Sequence, residues 1–188
     1  MDGSISQTIN KSGTANPNFY NLQVNKASNH VTLNTEIAIV TSATFSQGNI
    51  ISSNPNYFTV NNSATVSGAS NTSFVSGPVR KVGNQAFTFP TGKGSYYSPI
   101  SISAPSNTTH HFTAEYFSSN PCSIYGTTRD AGLDHLSQKE YWILDRTNGA
   151  SNVSVTLSWG TNSGGVSDLS KLRVARWNGT QWADHGNG

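Results

Sequence analysis

Apolar residues between Phe19 and about Gly77 fall into short clusters, FYNLQV, HVTL, EIAIV, ATFS, GNIIS, NYFTV and ATVSG, separated by Asn, Ser and Gly. Each cluster predicts a strand of about three to five residues, because the spacing is too tight for an amphipathic helix. Related units, NLQVNKAS, ATFSQGN and YFTVNNSA, return loosely at roughly 15 to 20 residues, a period compatible with the rungs of a parallel β-helix. Within them Tyr57 and Phe58 read as rung residues, one inside and one outside.

The texture changes after SGPVRKVGNQ. FTFP, ISIS and HHFTAEYF are longer alternating strands, the last with Phe112, Ala114 and Tyr116 on one face and His111, Thr113 and Glu115 on the other. VSVTLSW alternates throughout, with Val153, Val155, Leu157 and Trp159 directed one way. YWIL and KLRVARW complete five or six strands, enough for a sandwich. A brief helical turn is expected only in TTRDAGLDHLSQKE. The expected fold is therefore all-β: a short-strand β-helix or solenoid-like part over residues 1–80, packed on an antiparallel β-sandwich part over residues 81–188. The two form either separate domains or one continuous unit.

Composition narrows the range of partners. Charged residues make up 11% of the 188, well below the roughly 25% of an average soluble protein. The net charge of +2 includes no Lys/Arg run, so neither nucleic acid nor an anionic membrane surface is an expected partner. No apolar run is long enough to span a bilayer, and no membrane insertion is expected. Cys122 is the single cysteine, which excludes an intrachain disulfide and a thiolate metal cluster. Low charge with abundant Ser, Thr and Asn fits export. The opening MDGSISQTINKSG has no apolar core, so an exported parent protein would carry its signal elsewhere.

The series SFVSGPVRKVGNQAFTFPTGKGSYYSPISI, KEYWILDR, VSVTLSW and LSKLRVARWNGTQWADHGN resembles a module of large secreted and surface-attached, adhesin-like proteins of Bacteroidota. Its most specific pieces are FTFPTGKG, YWILDR and ARWNGTQW. The resemblance implies export by the type IX route, an extracellular or cell-surface location and neighbouring domains in the same polypeptide. It supplies no catalytic residues, and the C-terminal sorting signal such proteins often carry is not found in this sequence.

Candidate chemistry concentrates near the end of the chain. Asn178-Gly179 predicts a type I′ hairpin turn between RVARW and TQWAD. A two-residue loop sets Trp177 opposite Thr180, a four-residue loop sets it opposite Trp182, and both indoles share a face either way. Leu172 and Val174 have the opposite parity. If that aliphatic pair is buried, Trp177 and Trp182 point outward beside Arg173, as a flat platform for the C–H face of a sugar. The competing expectation is burial of both rings, since tryptophan is highly buried on average. Tyr97, in the turn-rich GKGSYYSP, is a further candidate contact, with the corner role common to tyrosines as its alternative.

RDAGLDH gathers Asp130, Asp134 and His135, with Glu140 beyond. Paired carboxylates serve glycoside hydrolysis and an Asp/His cluster can hold a cation, but such residues are also the default filling of loops. His110 and His111 are adjacent on a strand and cannot grip one ion. Neither a G-x-S-x-G elbow nor a P-loop is present. The sequence thus predicts a non-catalytic extracellular module with no metal and no cofactor. It would contact a polysaccharide or surface glycan through Trp177, Trp182, Tyr97 and Arg173. The alternatives are a structural spacer or cap, and a polysaccharide-acting enzyme domain.

Overall fold

Parallel pairing dominates the N-terminal half of the computed structural model, which describes residues 1–187. The coil begins with β1 (Asp2–Gly3), β2 (Gln7–Ile9), β3 (Asn18–Leu33) and β4 (Ile37–Ile51). It continues through β5 (Phe58–Val60), β6 (Thr65–Ser67), β7 (Val75–Ser76) and β8 (Val79–Val82). Parallel ladders join β2 to β3, β3 to β4, β4 to β5, β6 and β7, and β5 to β8. This is a β-solenoid-like stack. One turn takes from 19 residues, Val31 to its partner Ile50, up to 25, Ile50 to its partner Val75. The turn is longer than the expected period because corner residues carry no apolar signal.

Strand length also departs from the expectation, with β3 spanning 16 residues and β4 spanning 15. Both strands bend at corners, where the ladder between them shifts register and then resumes. In β3 the buried positions are Leu22, Val24 and Lys26, then Val31 and Leu33, and Asn29 at φ 64° lies where the parity changes. In β4, Ala43 and Phe45 give way to Ile50 across Gly48 at φ 79°. The inward residues stack from coil to coil: Ile37 on Phe58 on Val79, and Ile39 on Val60 on Lys81. Each fully buried Ile, Val or Phe contributes about 1.5–3 kcal/mol.

The second half of the chain pairs antiparallel. Its elements are β9 (Phe87–Phe89), β10 (Gly92–Lys93), β11 (Tyr96–Tyr97), β12 (Ile100–Ile102), β13 (His111–Phe117) and α1 (Cys122–Tyr125). They are followed by β14 (Tyr141–Asn148), β15 (Val155–Leu157), β16 (Ala175–Trp177) and β17 (Trp182–Asp184). Strands β9, β12 and β15 form a sheet with Phe89, Ile100 and Leu157 in one row. Phe87, Phe89, Ile100 and Ile102 belong to the same buried cluster as Ile37, Phe58 and Val79, so this sheet packs on the coil. Strand β8 pairs parallel with β5 and antiparallel with β13, and β14 lies beside β13 at the sheet edge.

The change of pairing thus occurs at Val79–Val82. The compact units divide elsewhere: one comprises Met1–Tyr116 with Trp142–Ser158, the other Phe117–Tyr141 with the residues from Trp159 on. Two local expectations are corrected. The alternation of VSVTLSW yields a strand only at Val155–Leu157, with Val155 38% and Trp159 54% exposed, because β15 is an edge strand. The helical turn falls at Cys122–Tyr125 and not within residues 127–140. Among the described residues no helix is long and apolar enough to cross a membrane.

Lys81 ends an otherwise aliphatic ladder and is 1% exposed. Its ammonium donates to the carbonyls of Asn61 (2.7 Å) and Ala64 (3.3 Å) and lies 5.1 Å from the centre of the Phe87 ring. Desolvation lowers its pKa from 10.5 to about 8. Below that value folding forces a charge into the interior, whereas the unfolded chain holds the same proton without penalty up to 10.5. Stability therefore rises with pH between these two values. The expected gain from pH 7 to about 9.5 is on the order of 2 kcal/mol. Urea denaturation of wild type and Lys81→Met at both pH values checks it, since the variant lacks the group and should lack this rise.

Candidate aromatic binding site

The smaller unit is organised by aromatic rings. Pro121 opens the single turn of α1, Asn120 Oδ1 accepts the N–H of Cys122 at 2.9 Å, and Gly126 at φ 81° ends it. That turn holds Tyr125 with ring centres 6.0 Å from Tyr141, 5.8 Å from Trp177 and 5.8 Å from Trp182. Phe117 stacks on Tyr141 at 4.8 Å with the planes 7° apart. Trp177 and Trp182 meet edge to face at 5.7 Å. Five rings thus form one connected group, in the offset and edge-on geometries that ring quadrupoles favour.

Trp177 and Trp182 face each other across the hairpin of β16 and β17. The loop is the four-residue alternative. Asn178 does not take the positive φ of a type I′ turn, and only Gly179 does, at φ 105°. Asn178 Oδ1 instead accepts from the N–H of Thr180 (2.9 Å) and of Gln181 (3.0 Å) and from Thr180 Oγ1 (3.0 Å), an Asx turn that closes the loop by side chain.

The two indoles differ in environment. Trp182 is 7% exposed and its Nε1 donates to Gly126 O at 3.0 Å. Its N–H donates to Thr128 O and its carbonyl accepts from Asp130 N, both at 2.9 Å. Trp177 is half-buried, and Leu172 and Val174 are half-buried too. The expectation that both indoles point outward is therefore corrected for Trp182. The hairpin face bearing the tryptophans is the one covered, by Tyr125 and the backbone that follows it. Arg173 is exposed, with its Nη1 3.4 Å from Asp184 Oδ2. A surface pair of this kind contributes about 0–1 kcal/mol.

The loop RDAGLDH serves as the clamp on this hairpin. Arg129 Nε donates to Leu133 O at 2.8 Å and Nη2 to Asp134 O at 2.6 Å, which folds the loop back on itself. Asp130 accepts from Gln181 Nε2 and, at 2.9 Å, from the N–H of Asp184. Asp134 and His135 contact each other at 3.1 Å on the surface. His110, in the larger unit, meets Ser151 Oγ at 2.5 Å through Nδ1. Burial foremost, then the nearby Arg80, lowers the pKa of His111. Among the described residues no group of three or more His, Cys, Asp or Glu converges to hold a metal ion.

No family model, curated protein or solved structure matches the chain.

Tyr97 belongs to the larger unit and not to the ring group of the smaller one. It pairs through β11 with Gly92 of β10, and its N–H donates to Asn71 Oδ1 at 2.8 Å. Its ring is half-buried and the phenol pKa is raised by burial, while Tyr96 stays exposed. Trp177, Trp182 and Arg173 thus belong to the C-terminal segment of the smaller unit, and Tyr97 to the larger one. Sequence reasoning missed Phe117, Tyr125 and Tyr141. Each is an aromatic at the end of a short extended or turn segment, and only the fold brings those segments together.

Proposed function

We propose that the chain is a non-catalytic, extracellular module of a larger secreted or surface-attached protein, which contacts a polysaccharide or surface glycan through an aromatic ring. The observation that supports this reading is the half-buried Trp177 seated on buried Trp182, whose indole N–H is anchored to Gly126 O. A ring fixed before the ligand arrives loses little entropy on binding. Arg173, exposed just before β16, lies beside the hairpin to serve hydroxyls. Binding in place of hydrolysis fits the surrounding acids, because Asp130 is committed to Gln181 and to the Asp184 backbone. Neighbouring domains of the parent protein would raise the modest affinity of one module through repetition.

The burial of Trp182 supports a second reading, in which the five rings are simply the core of a spacer or capping unit. A glycan array followed by pull-down on insoluble polysaccharide separates the two. For a contacting ring, Trp177→Ala should weaken retention about tenfold while the far-ultraviolet circular dichroism stays unchanged. Retention equal to wild type, or an array without hits, leaves the spacer.

A further inference from the structure

The larger unit carries a cleft of about 150 Å³, bounded by Asn54, Tyr57, Thr113, Glu115, Ile143 and Asp145. Its ring is already fixed. Tyr57 Oη donates to Asn54 Oδ1 at 2.9 Å, and the guanidinium of Arg80 lies 4.0 Å from the ring centre. Arg80 is itself held by Glu36 Oε1 at 2.8 Å. The acids come from neighbouring strands. In β13, Phe112, Ala114 and Tyr116 are buried, which leaves Thr113 and Glu115 on the opposite face. Asp145 is exposed on β14, and its carboxylate takes no hydrogen bond or ion pair from the described residues. Glu115 has only Lys93 Nζ, at 4.0 Å.

An immobile aromatic ring beside carboxylates with vacant lone pairs and a side-chain amide is the set that a pyranose requires. Its C–H face lies on the ring and its hydroxyl protons go to the carboxylate oxygens. Charge selects among sugars. The guanidinium of Arg80 already lies on Tyr57 and would repel a cationic ligand there, while a uronate would meet Glu115 and Asp145. The volume is below the roughly 300–1,000 Å³ of sites for drug-sized ligands, and suits one ring. We propose that this cleft is a separate subsite for a single neutral pyranose residue, recognised by Tyr57, Glu115, Asp145 and Asn54. The inference rests on the glycan reading for its ligand class and uses none of the residues of the tryptophan hairpin.

The test is a ¹H–¹⁵N titration of the whole chain with the methyl glycosides of glucose, galactose, mannose and N-acetylglucosamine. Saturable shifts are expected at the amides of Thr113, Glu115, Ile143 and Asp145 for at least one sugar, with a dissociation constant in the millimolar range. Asp145→Ala should weaken that binding about tenfold, as loss of a hydrogen bond to a charged acceptor does. The variant is expected to fold, because the exposed carboxylate has no hydrogen-bond or ion-pair partner among the described residues. Trp177→Ala should leave the titration unchanged. Failure of all four sugars to shift those amides, or equal affinity in Asp145→Ala, overturns the proposal. Saturation in the cleft without retention on polysaccharide would sink the hairpin platform alone.

Discussion

Replacing Trp182 by alanine is expected to destabilise the chain by about 3–5 kcal/mol, the cost of emptying a buried aromatic site. The ring is 7% exposed and touches Tyr125 and Trp177 edge-on. Its removal also leaves Gly126 O without the indole donor. The smaller unit has little else to compensate, since among its described residues only Pro121, Leu133 and Tyr141 are further buried apolar side chains. Trp177→Ala, at a half-buried position, should cost only about 1–2 kcal/mol. Trp182→Phe should recover most of the packing and lose the hydrogen bond, about 1 kcal/mol. Urea denaturation followed by circular dichroism measures all three. Equal, small losses for Trp177→Ala and Trp182→Ala would mean that the rings touch without supporting one another.

This ordering inverts what parity along the hairpin implies. Leu172 and Val174 alternate against Trp177, and an aliphatic pair is the usual candidate for a core. The rule fails here because a strand has two faces and the sequence does not say what covers them. The covering groups are Tyr125 and the backbone of residues 126–130, and Tyr125 lies 57 residues before Trp182. The coil was far more legible, because each of its faces repeats the same local instruction. Ile37, Phe58 and Val79 share one inward column, and the first two sit in separate apolar clusters of the sequence, EIAIV and NYFTV.

The corners were not legible, for a reason visible in β3 and β4. A corner shifts the inward parity by one residue, as between Lys26 and Val31, so a reader who looks for strict alternation ends one strand and starts another. The ladder shifts register there and resumes: Asn25 pairs with Gln47 before the bend and His30 with Asn49 after it. Short clusters and long strands are thus the same object described by side chain and by backbone. The candidate sugar cleft was hidden in another way. Tyr57, Glu115 and Asp145 come from three distant segments, and the pairing of β8 with β13, followed by β14 at the edge, brings them to one sheet.

Gly68→Ala is the second substitution with a large expected effect, about 2–5 kcal/mol. It combines left-handed strain at roughly 1–2 kcal/mol with the overpacking of a rigid wall at roughly 1–3 kcal/mol. Gly68 follows β6 at φ 77°, and a methyl group there would lie 2.1 Å from the carbonyl oxygen of Phe45 in the adjacent coil. That oxygen cannot swing aside as a side chain would. It is fixed by β4, whose Thr44 pairs with Ser67, and by the burial of the Phe45 ring against Phe58 at 5.9 Å. Relief therefore requires the two coils to separate locally, which loosens the ladder from Ser42 to Thr44. Gly94→Ala isolates the strain, since Gly94 has φ 63° and no atom within 4 Å of the added carbon. That variant should lose only about 1 kcal/mol. Denaturant midpoints for the two variants check the difference, and faster amide exchange in residues 42–45 of Gly68→Ala is expected beside it. If both variants lose the same amount, the close approach of Gly68 to Phe45 does not constrain the stack.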